Sequence, residues 1–532
     1  MTGSRGRTFA ERDRNQLLSH AADALRRGAL LEVEEASRRL LEHDRDDPNA
    51  LNFLGLAALG GNRRDEAIKA LKKATGRAPK SAMIRCNLAF AYRADGRHED
   101  AVREAGKAFR LDADLVAAYA VAGASLADLG RPAEALEPLT QAIRRQPTLV
   151  RVLVALAGVL RALGRTDEAA VRYGQALDAN PEAGEAWIGL GWLHVGERRY
   201  DEAVRCFRRG LATKRGSRWW PADGSPLPPP GPPLAINSPK LSHDIEQLSY
   251  LIERGLLPAD LGAAVEDYRA MKSEIGRIHG EATTVMLSQA ELGPIADSYG
   301  RVVHWRETPV LPGGVLGDGW DPREIERLYA VPPGVCFLDG LLTREALEAI
   351  RRFCLDSTIW NDVGHNFHEE GIRRAYLGTY AGDGFCCPLL FQIAEDLARA
   401  LPAIFQDHRL TQMWAYKYEP RTDGIGIHGD NAAVNVNFWI TPDEANLDPQ
   451  SGGLMVWPVE APAQWNFDDY NKDRKKIRRF LESSRVAPVN VPYRQNRAVI
   501  FNSDLFHATA PLRFRDGYEN RRVNVTMLFG RR

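Results

Sequence analysis

Long apolar runs are missing from this chain. Leu149–Leu160 comes nearest to one and is interrupted by Arg151, so no membrane span is expected. The start, Met1 to Ala10, is basic and polar with no apolar centre, which does not read as a secretory leader. An excess of either charge is also lacking: Lys+Arg and Asp+Glu balance at 70 each over 532 residues. No global field therefore favours nucleic acid or a membrane surface, and neither is expected as a partner. Cysteine is scarce, at six, and only Cys386 and Cys387 are adjacent. Neighbouring residues rarely close a comfortable disulfide, so the expectation is free thiols in a reducing cytoplasm. What remains is an ordinary soluble composition, 44% apolar and 26% charged, in a chain long enough for several domains.

One small residue organises the first two hundred positions. Ala67, Ala101, Ala135, Ala169 and Ala203 recur every 34 residues, each after acidic residues such as Asp65-Glu66, Glu99-Asp100 or Asp201-Glu202. Gly96, Gly130 and Gly164 stand five residues earlier, and Pro79, Pro147 and Pro181 close three of the units. A small residue lets two helices of a hairpin approach closely, while glycine turns the chain between them. A fixed period of this size means a stacked helical solenoid. The pattern resembles the tetratricopeptide repeat over about 48–217, with a degenerate first unit at about 14–47 whose Ala36 lies 31 residues before Ala67. The resemblance implies a concave groove for a protein or peptide. Cys86, Phe90, Ala120, Ala124, Val154, Gly158, Ile188 and Trp192 are expected on its inner helices, and the Lys/Asn/Arg clamp for a terminal carboxylate is not visible.

Residues 218–240 change character, with Pro226-Leu227-Pro228-Pro229-Pro230-Gly231-Pro232-Pro233 reading as an extended linker. Over 241–334, apolar residues return at helical spacing through Leu248, Leu251, Val265, Tyr268 and Met271, predicting two buttressing helices, and 290–335 reads as irregular. From 335 a strand precedes a helix capped by Thr343, and a second helix spans about 387–401. Strand-like segments follow at 411–419, 433–440, 453–457, 497–502, 505–510 and 522–529. The expected fold class is an all-α solenoid followed by an α+β jelly-roll (double-stranded β-helix) domain at 335–532.

Within that domain His428-Gly429-Asp430 lies between two strand-like runs, and residues two apart in a strand share a face. An imidazole and a carboxylate are two thirds of the facial triad of non-haem Fe(II) oxygenases. His507 follows the strand Arg497–Asn502, and Asp516-Gly517 predicts a hairpin that brings Arg521-Arg522 beside the His507 strand.

His428-Gly429-Asp430, His507 and Arg522-Val523-Asn524-Val525-Thr526 together resemble the HxD…H…R arrangement of 2-oxoglutarate/Fe(II) dioxygenases. The layout is similar to the prolyl-hydroxylase branch, and the Arg-x-Asn-x-Thr run is closer to the alkyl-demethylase branch. The resemblance implies that His428, Asp430 and His507 bind Fe(II) and that Arg522 clamps the distal carboxylate of 2-oxoglutarate, with Arg521 as the alternative. Asn524, Thr526, Tyr416 and Tyr418 are further candidates around the cosubstrate. It also implies decarboxylation of 2-oxoglutarate to succinate and CO2, with O2 as the other cosubstrate and a substrate C–H bond oxidised. Lys472–Arg479, in an insert at about 458–496, reads as a lid helix, and His365 and His368 as a surface pair. Three other readings share much of this pattern: an interaction scaffold with a catalytically silent barrel, an oxygenase acting on a small-molecule metabolite, and a cupin-like metal enzyme of a different reaction type.

Overall fold

A left-handed backbone position recurs every 34 residues, at Gly28, Asn62, Gly96, Gly130, Gly164 and Arg198, with φ between 58° and 76°. Each of these residues ends the first helix of a hairpin. The N–H that follows it reaches back to a carbonyl one turn inside the helix, as in Arg97 to Tyr92 (2.8 Å) and Arg165 to Leu160 (2.9 Å). Glycine takes this conformation without strain, which is why it dominates the position.

The structure, a computed structural model, describes residues 11–215, 234–280, 283–363 and 376–531. The linker prolines 226–233 and the pair His365 and His368 lie outside the described residues. Two compact units emerge, Met1–Pro181 and Glu182–Arg532.

The first unit is a series of helical pairs: α1 (Glu11–Arg26) with α2 (Leu30–His43), α3 (Pro48–Gly60) with α4 (Arg64–Arg77), α5 (Ala82–Ala94) with α6 (His98–Leu111), α7 (Val116–Asp128) with α8 (Pro132–Arg145), and α9 (Val150–Ala162) with α10 (Thr166–Ala179). The periodic alanines Ala67, Ala101, Ala135 and Ala169 are completely buried. Opposite them the first helices also need small residues: a Cβ on Gly55 would meet Leu71 Cγ at 2.6 Å, and one on Gly123 would meet Leu139 Cγ at 2.5 Å. The first unit keeps the same register. Val33, not Ala36, stands 34 residues before Ala67, and it is fully buried as the repeat requires. A larger residue at the repeat position made the unit look out of phase. Cys86 is also fully buried, with Ala108 and Ala118, so it does not line a groove. Its helix turns the thiol into the interhelical core.

The second unit begins with a sixth hairpin, α11 (Gly184–Gly196) and α12 (Tyr200–Arg215). Then come β1 (Leu234–Ile236), α13 (Ser238–Glu253), α14 (Gly262–His279), β2 (Val285–Leu287), α15 (Pro322–Ala330), β3 (Val335–Asp339), α16 (Arg344–Asp356), β4 (Tyr376–Tyr380), α17 (Pro388–Ala400) and α18 (Pro402–Phe405). The chain continues through β5 (Leu410–Tyr418), β6 (Arg421–Thr422), β7 (Val434–Trp439), β8 (Leu454–Glu460), α19 (Arg474–Ser484), β9 (Val489–Val491), β10 (Arg497–Asn502), β11 (Leu505–Thr509), β12 (Leu512–Arg513) and β13 (Val523–Phe529). The rings of Tyr200 and Phe207 stack on Phe391 of α17, at 5.4 and 6.2 Å between centroids. The sixth hairpin thus joins the core of the second unit, and the break between units falls inside the repeat array rather than at the proline stretch. Helix α15 lies in the segment read as irregular. Asp321 caps it by accepting from Arg323 N, with Pro322 as its first residue, a short start signal amid many turn formers.

The main sheet has the order β3-β10-β7-β13-β5-β4, with every pair antiparallel, and a second sheet has the order β11-β8-β9. One face of the main sheet packs Val436, Phe438, Val525 and Met527 with the helical layer that includes Phe353 and Phe391. The other face contributes Tyr418, Trp439, Val499 and Phe501 to a cluster shared with Leu454, Val456 and Leu505 of the second sheet. Because β7 and β13 are covered on both sides, alternation along them separates two buried faces rather than core from solvent. Helix α13 packs against the end of α16, with Gln247 Nε2 donating to the carbonyls of Leu355 and Ser357, both at 3.0 Å.

Candidate metal and anion site

The expected hairpin between β11 and β13 does not form. Strand β13 pairs with β5 and β7, and β11 pairs with β8 in the other sheet. Asp516-Gly517 instead sits in a crossover that leads into a short turn at Tyr518–Asn520. A local turn signal specifies the bend, not the partner of the strand that follows.

The free edge of β11 is taken by the irregular segment carrying His428. His428 N donates to His507 O (3.0 Å) and His507 N donates back to His428 O (2.8 Å). Thr509 N likewise reaches Ile425 O at 3.1 Å. Gly424 makes this docking possible: its φ is +75°, and a Cβ there would meet Thr509 O at 2.4 Å. The two imidazoles consequently lie 4.3 Å apart, centroid to centroid.

Asp430 closes the cluster. His507 Nε2 lies 3.4 Å from its Oδ2, and His428 Nε2 lies 3.9 Å from its Oδ1. One candidate ligand atom from each of the three residues falls within 4.8 Å of the others. The Nδ1 atom of His428 is 2.8 Å from Gly426 O, and that of His507 is 3.3 Å from Leu505 O. Those carbonyls take the Nδ1 proton of each ring in a hydrogen bond, so Nε2 is the nitrogen that faces the carboxylate. Burial opposes ionisation of Asp430, but the approach of His507 and His428 and a bond from Asn435 outweigh it, and its pKa is lowered. Two imidazoles and a carboxylate whose pKa is lowered form a donor set that fits a divalent first-row metal such as Fe(II).

The insert between β8 and β10 latches onto the same place. Gly429 N donates to Tyr470 O, and Asn471 Nδ2 donates to Gly429 O, both at 2.8 Å. The expected lid helix is α19. Its Ile477 and Leu481 share an apolar cluster with Tyr470 and with Phe506, the neighbour of His507.

Arg522 enters from the main sheet. It is completely buried; its Nε donates to Gly452 O at 2.6 Å, while both terminal nitrogens lack a hydrogen-bond partner. Among the described residues no carboxylate pairs with it. The rings of Tyr418, Trp439 and Tyr493 surround it at 4.7, 5.6 and 5.8 Å. Burial lowers its pKa, with Tyr418 and Tyr493 acting the other way. Tyr418 OH lies 3.3 Å from Thr509 Oγ1, on the strand of His507 and two residues beyond it, so Tyr418 links the two sheets. Arg521 is spoken for, with Nε and one terminal nitrogen bonded to Glu246 of α13 at 2.7 and 3.1 Å. Asn524 and Thr526 share the face of Arg522 but bond to Asn437 of β7 at 2.9 and 2.7 Å. Tyr416 turns to Tyr380, the two hydroxyls 3.1 Å apart.

Asn435, Asn437 and Glu246 join the site without having been expected there. The asparagines had a signal: Val434-Asn435-Val436-Asn437 puts a poor strand former at alternate positions of a buried strand. Glu246, far away in the chain, had none.

A family model described as tetratricopeptide repeat matches residues 18–82, 54–116 and 121–175, and a second of the same description matches 160–222. The helical array is therefore built of tetratricopeptide repeats, which imply a protein-interaction role. Solved structures similar to the chain include TTC0263, a tetratricopeptide-repeat protein of Thermus thermophilus. It is 23% identical, aligns over 36% of this chain and 99% of its own, and has a TM-score of 0.30. PilF of Pseudomonas aeruginosa is 17% identical over 36% and 88%, with a TM-score of 0.34. YrrB, described as having an unusual peptide-binding site, is 17% identical over 34% and 93%, with a TM-score of 0.30. No curated protein matches the chain. Among the described residues no helix is long and apolar enough to cross a membrane.

Proposed function

We propose that the second unit is an Fe(II)- and 2-oxoglutarate-dependent dioxygenase with a jelly-roll core, and that the repeat array brings it a protein or peptide substrate. The observation that carries this reading is the pairing of a His-Asp-His cluster with a buried arginine that has no counter-ion. A guanidinium held dry with both terminal nitrogens free is costly unless an anion completes it. A planar carboxylate answers both nitrogens at once.

In this reading His428, Asp430 and His507 would hold Fe(II), and Arg522 would hold the distal carboxylate of 2-oxoglutarate. When bound, the metal and keto acid supply the oxidising chemistry, in which O2 and 2-oxoglutarate give succinate, CO2 and an oxidised substrate C–H bond. The chain's own residues bind and orient. Tyr418 packs over the guanidinium, the two carbonyls fix the imidazole tautomers, and Tyr470 with Asn471 keeps the Gly429 backbone in place. The apolar cluster under α19 keeps bulk water from the His507 side. On the array, Phe90 and Met83 are exposed apolar side chains on the first helix of one repeat, a surface suited to an apolar peptide segment.

The test is succinate formation from 2-oxoglutarate under aerobic conditions with Fe(II). Turnover that needs both, and is abolished in His428→Ala, supports the reading. A protein that neither takes up metal nor makes succinate overturns it and leaves an interaction scaffold.

A further inference from the structure

A line of buried hydrogen bonds runs from Asp430 across the main sheet to β13. Asn435 Nδ2 donates to Asp430 Oδ2 (2.8 Å), and Asn437 Nδ2 donates to Asn435 Oδ1 (2.6 Å). Asn437 Oδ1 in turn accepts from Thr526 Oγ1 (2.7 Å) and Asn524 Nδ2 (2.9 Å), and Asn524 Nδ2 also lies 2.9 Å from Thr526 Oγ1. Asn435 and Asn437 are two apart in β7 and share its inner face, and Thr526 is the register partner of Asn437. All five residues of the line are buried.

The direction of this line is dictated chemically. An ionised carboxylate only accepts, so Asn435 must offer its NH2 and is left with its carbonyl facing Asn437. Asn437 is then forced into the same orientation, and Thr526 must donate. Each bond polarises the next toward Asp430. Oδ2 is thereby occupied, whereas among the described residues no hydrogen bond reaches Oδ1. The carboxylate's rotamer and its free oxygen are both set from β13.

We propose that Asn435, Asn437 and Thr526 are positioning residues of the metal site, a one-way relay that fixes Asp430 for metal binding. The proposal rests on the metal-site reading above. It makes Thr526, three hydrogen bonds from the carboxylate and on another strand, a determinant of metal affinity.

The experiment is anaerobic titration of the full chain with Co(II), followed by visible absorption, with thermal melting of each metal-free variant alongside. Outer-shell partners of metal ligands typically matter 10- to 100-fold, so Asn435→Leu should weaken Co(II) binding by about that factor. Thr526→Val, which keeps the volume and removes the donor, should weaken it by roughly 3- to 10-fold. Thr526→Ser should restore wild-type affinity, a rescue that a packing role would not produce. Wild-type protein that binds Co(II), with Asn435→Leu and Thr526→Val binding within twofold of it, overturns the relay alone. Wild-type protein that binds no Co(II) overturns the relay and the metal site together. Equal loss in Thr526→Val and Thr526→Ser also overturns the relay.

Discussion

Arg521 and Arg522 are neighbours in the chain and face opposite sides of one sheet. Arg521 is engaged by Glu246 on the helical side, and Arg522 lies among aromatic rings on the other with two nitrogens unsatisfied. A single step along a strand separates an arginine that ties helix to sheet from one poised for an anion.

Replacing them should therefore give opposite results. Arg522→Leu should raise the 2-oxoglutarate KM by about 100-fold, the loss of two charge-assisted bonds. Its effect on the melting temperature of the ligand-free protein should be neutral or favourable, because a buried cation without a partner is removed. Arg521→Leu should lower the melting temperature by a few degrees and leave KM near wild type. Steady-state kinetics and thermal melts on the same preparations check both.

Lys417 lies fully buried on the helical face of β5, donating to Tyr518 OH (2.8 Å) and Cys354 O (3.1 Å). Burial holds its pKa well below the ordinary 10.5. Unfolding therefore takes up a proton throughout the interval between the two values. Stability from this residue rises as the pH climbs through that interval and levels off above 10.5. Lys417→Met should flatten this rise and stabilise the protein at neutral pH by on the order of 1 kcal/mol. Tyr518 OH still donates to Leu355 O, and Trp360 Nε1 to Cys354 O, so the substitution strands no donor there. Denaturant melts at pH 7 and pH 9.5 are the measurement.

Arg198 holds φ of 60° where four other repeats have glycine. Arg198→Gly should stabilise the second unit by about 0.5–1 kcal/mol, the strain relieved less the added freedom of the unfolded chain. Chemical denaturation followed by circular dichroism gives the difference.

Asn471→Ala removes the side-chain bond to Gly429 O without touching a candidate ligand. It should weaken Co(II) binding by about twofold to fivefold through looser placement of His428 and Asp430, as read by the same absorption titration.

The period of 34 made the solenoid legible because every unit repeats one packing problem: a small residue at the helix crossing and a left-handed residue at the turn. Val33 and Asn62 solve it with other side chains, and those are the places where the period was hard to see. The strands were legible for a different reason, since Val523-Asn524-Val525-Thr526 and Val434-Asn435-Val436-Asn437 alternate cleanly. Their pairing was not. Local residues fix a strand's faces, whereas the neighbour of β13 is set by the crossover through Asp516-Gly517, a long-range choice. His428, Asp430, His507 and Arg522 stood out as residue types. The free nitrogens of Arg522 and the relay through Asn437 became visible only with the fold, because burial and missing partners are properties of three dimensions.

The reciprocal backbone bonds between His428 and His507 bear on how the proposed metal site is assembled. Many metal sites are assembled by the ion itself, so that emptying them dissolves the local fold. Here the sheet edge aligns the two imidazoles through its own ladder, which owes nothing to a metal. The protein should thus endure as a stable empty vessel, drained by a chelator and refilled at will. On the proposed reading, activity would then follow the supply of iron rather than the turnover of the polypeptide.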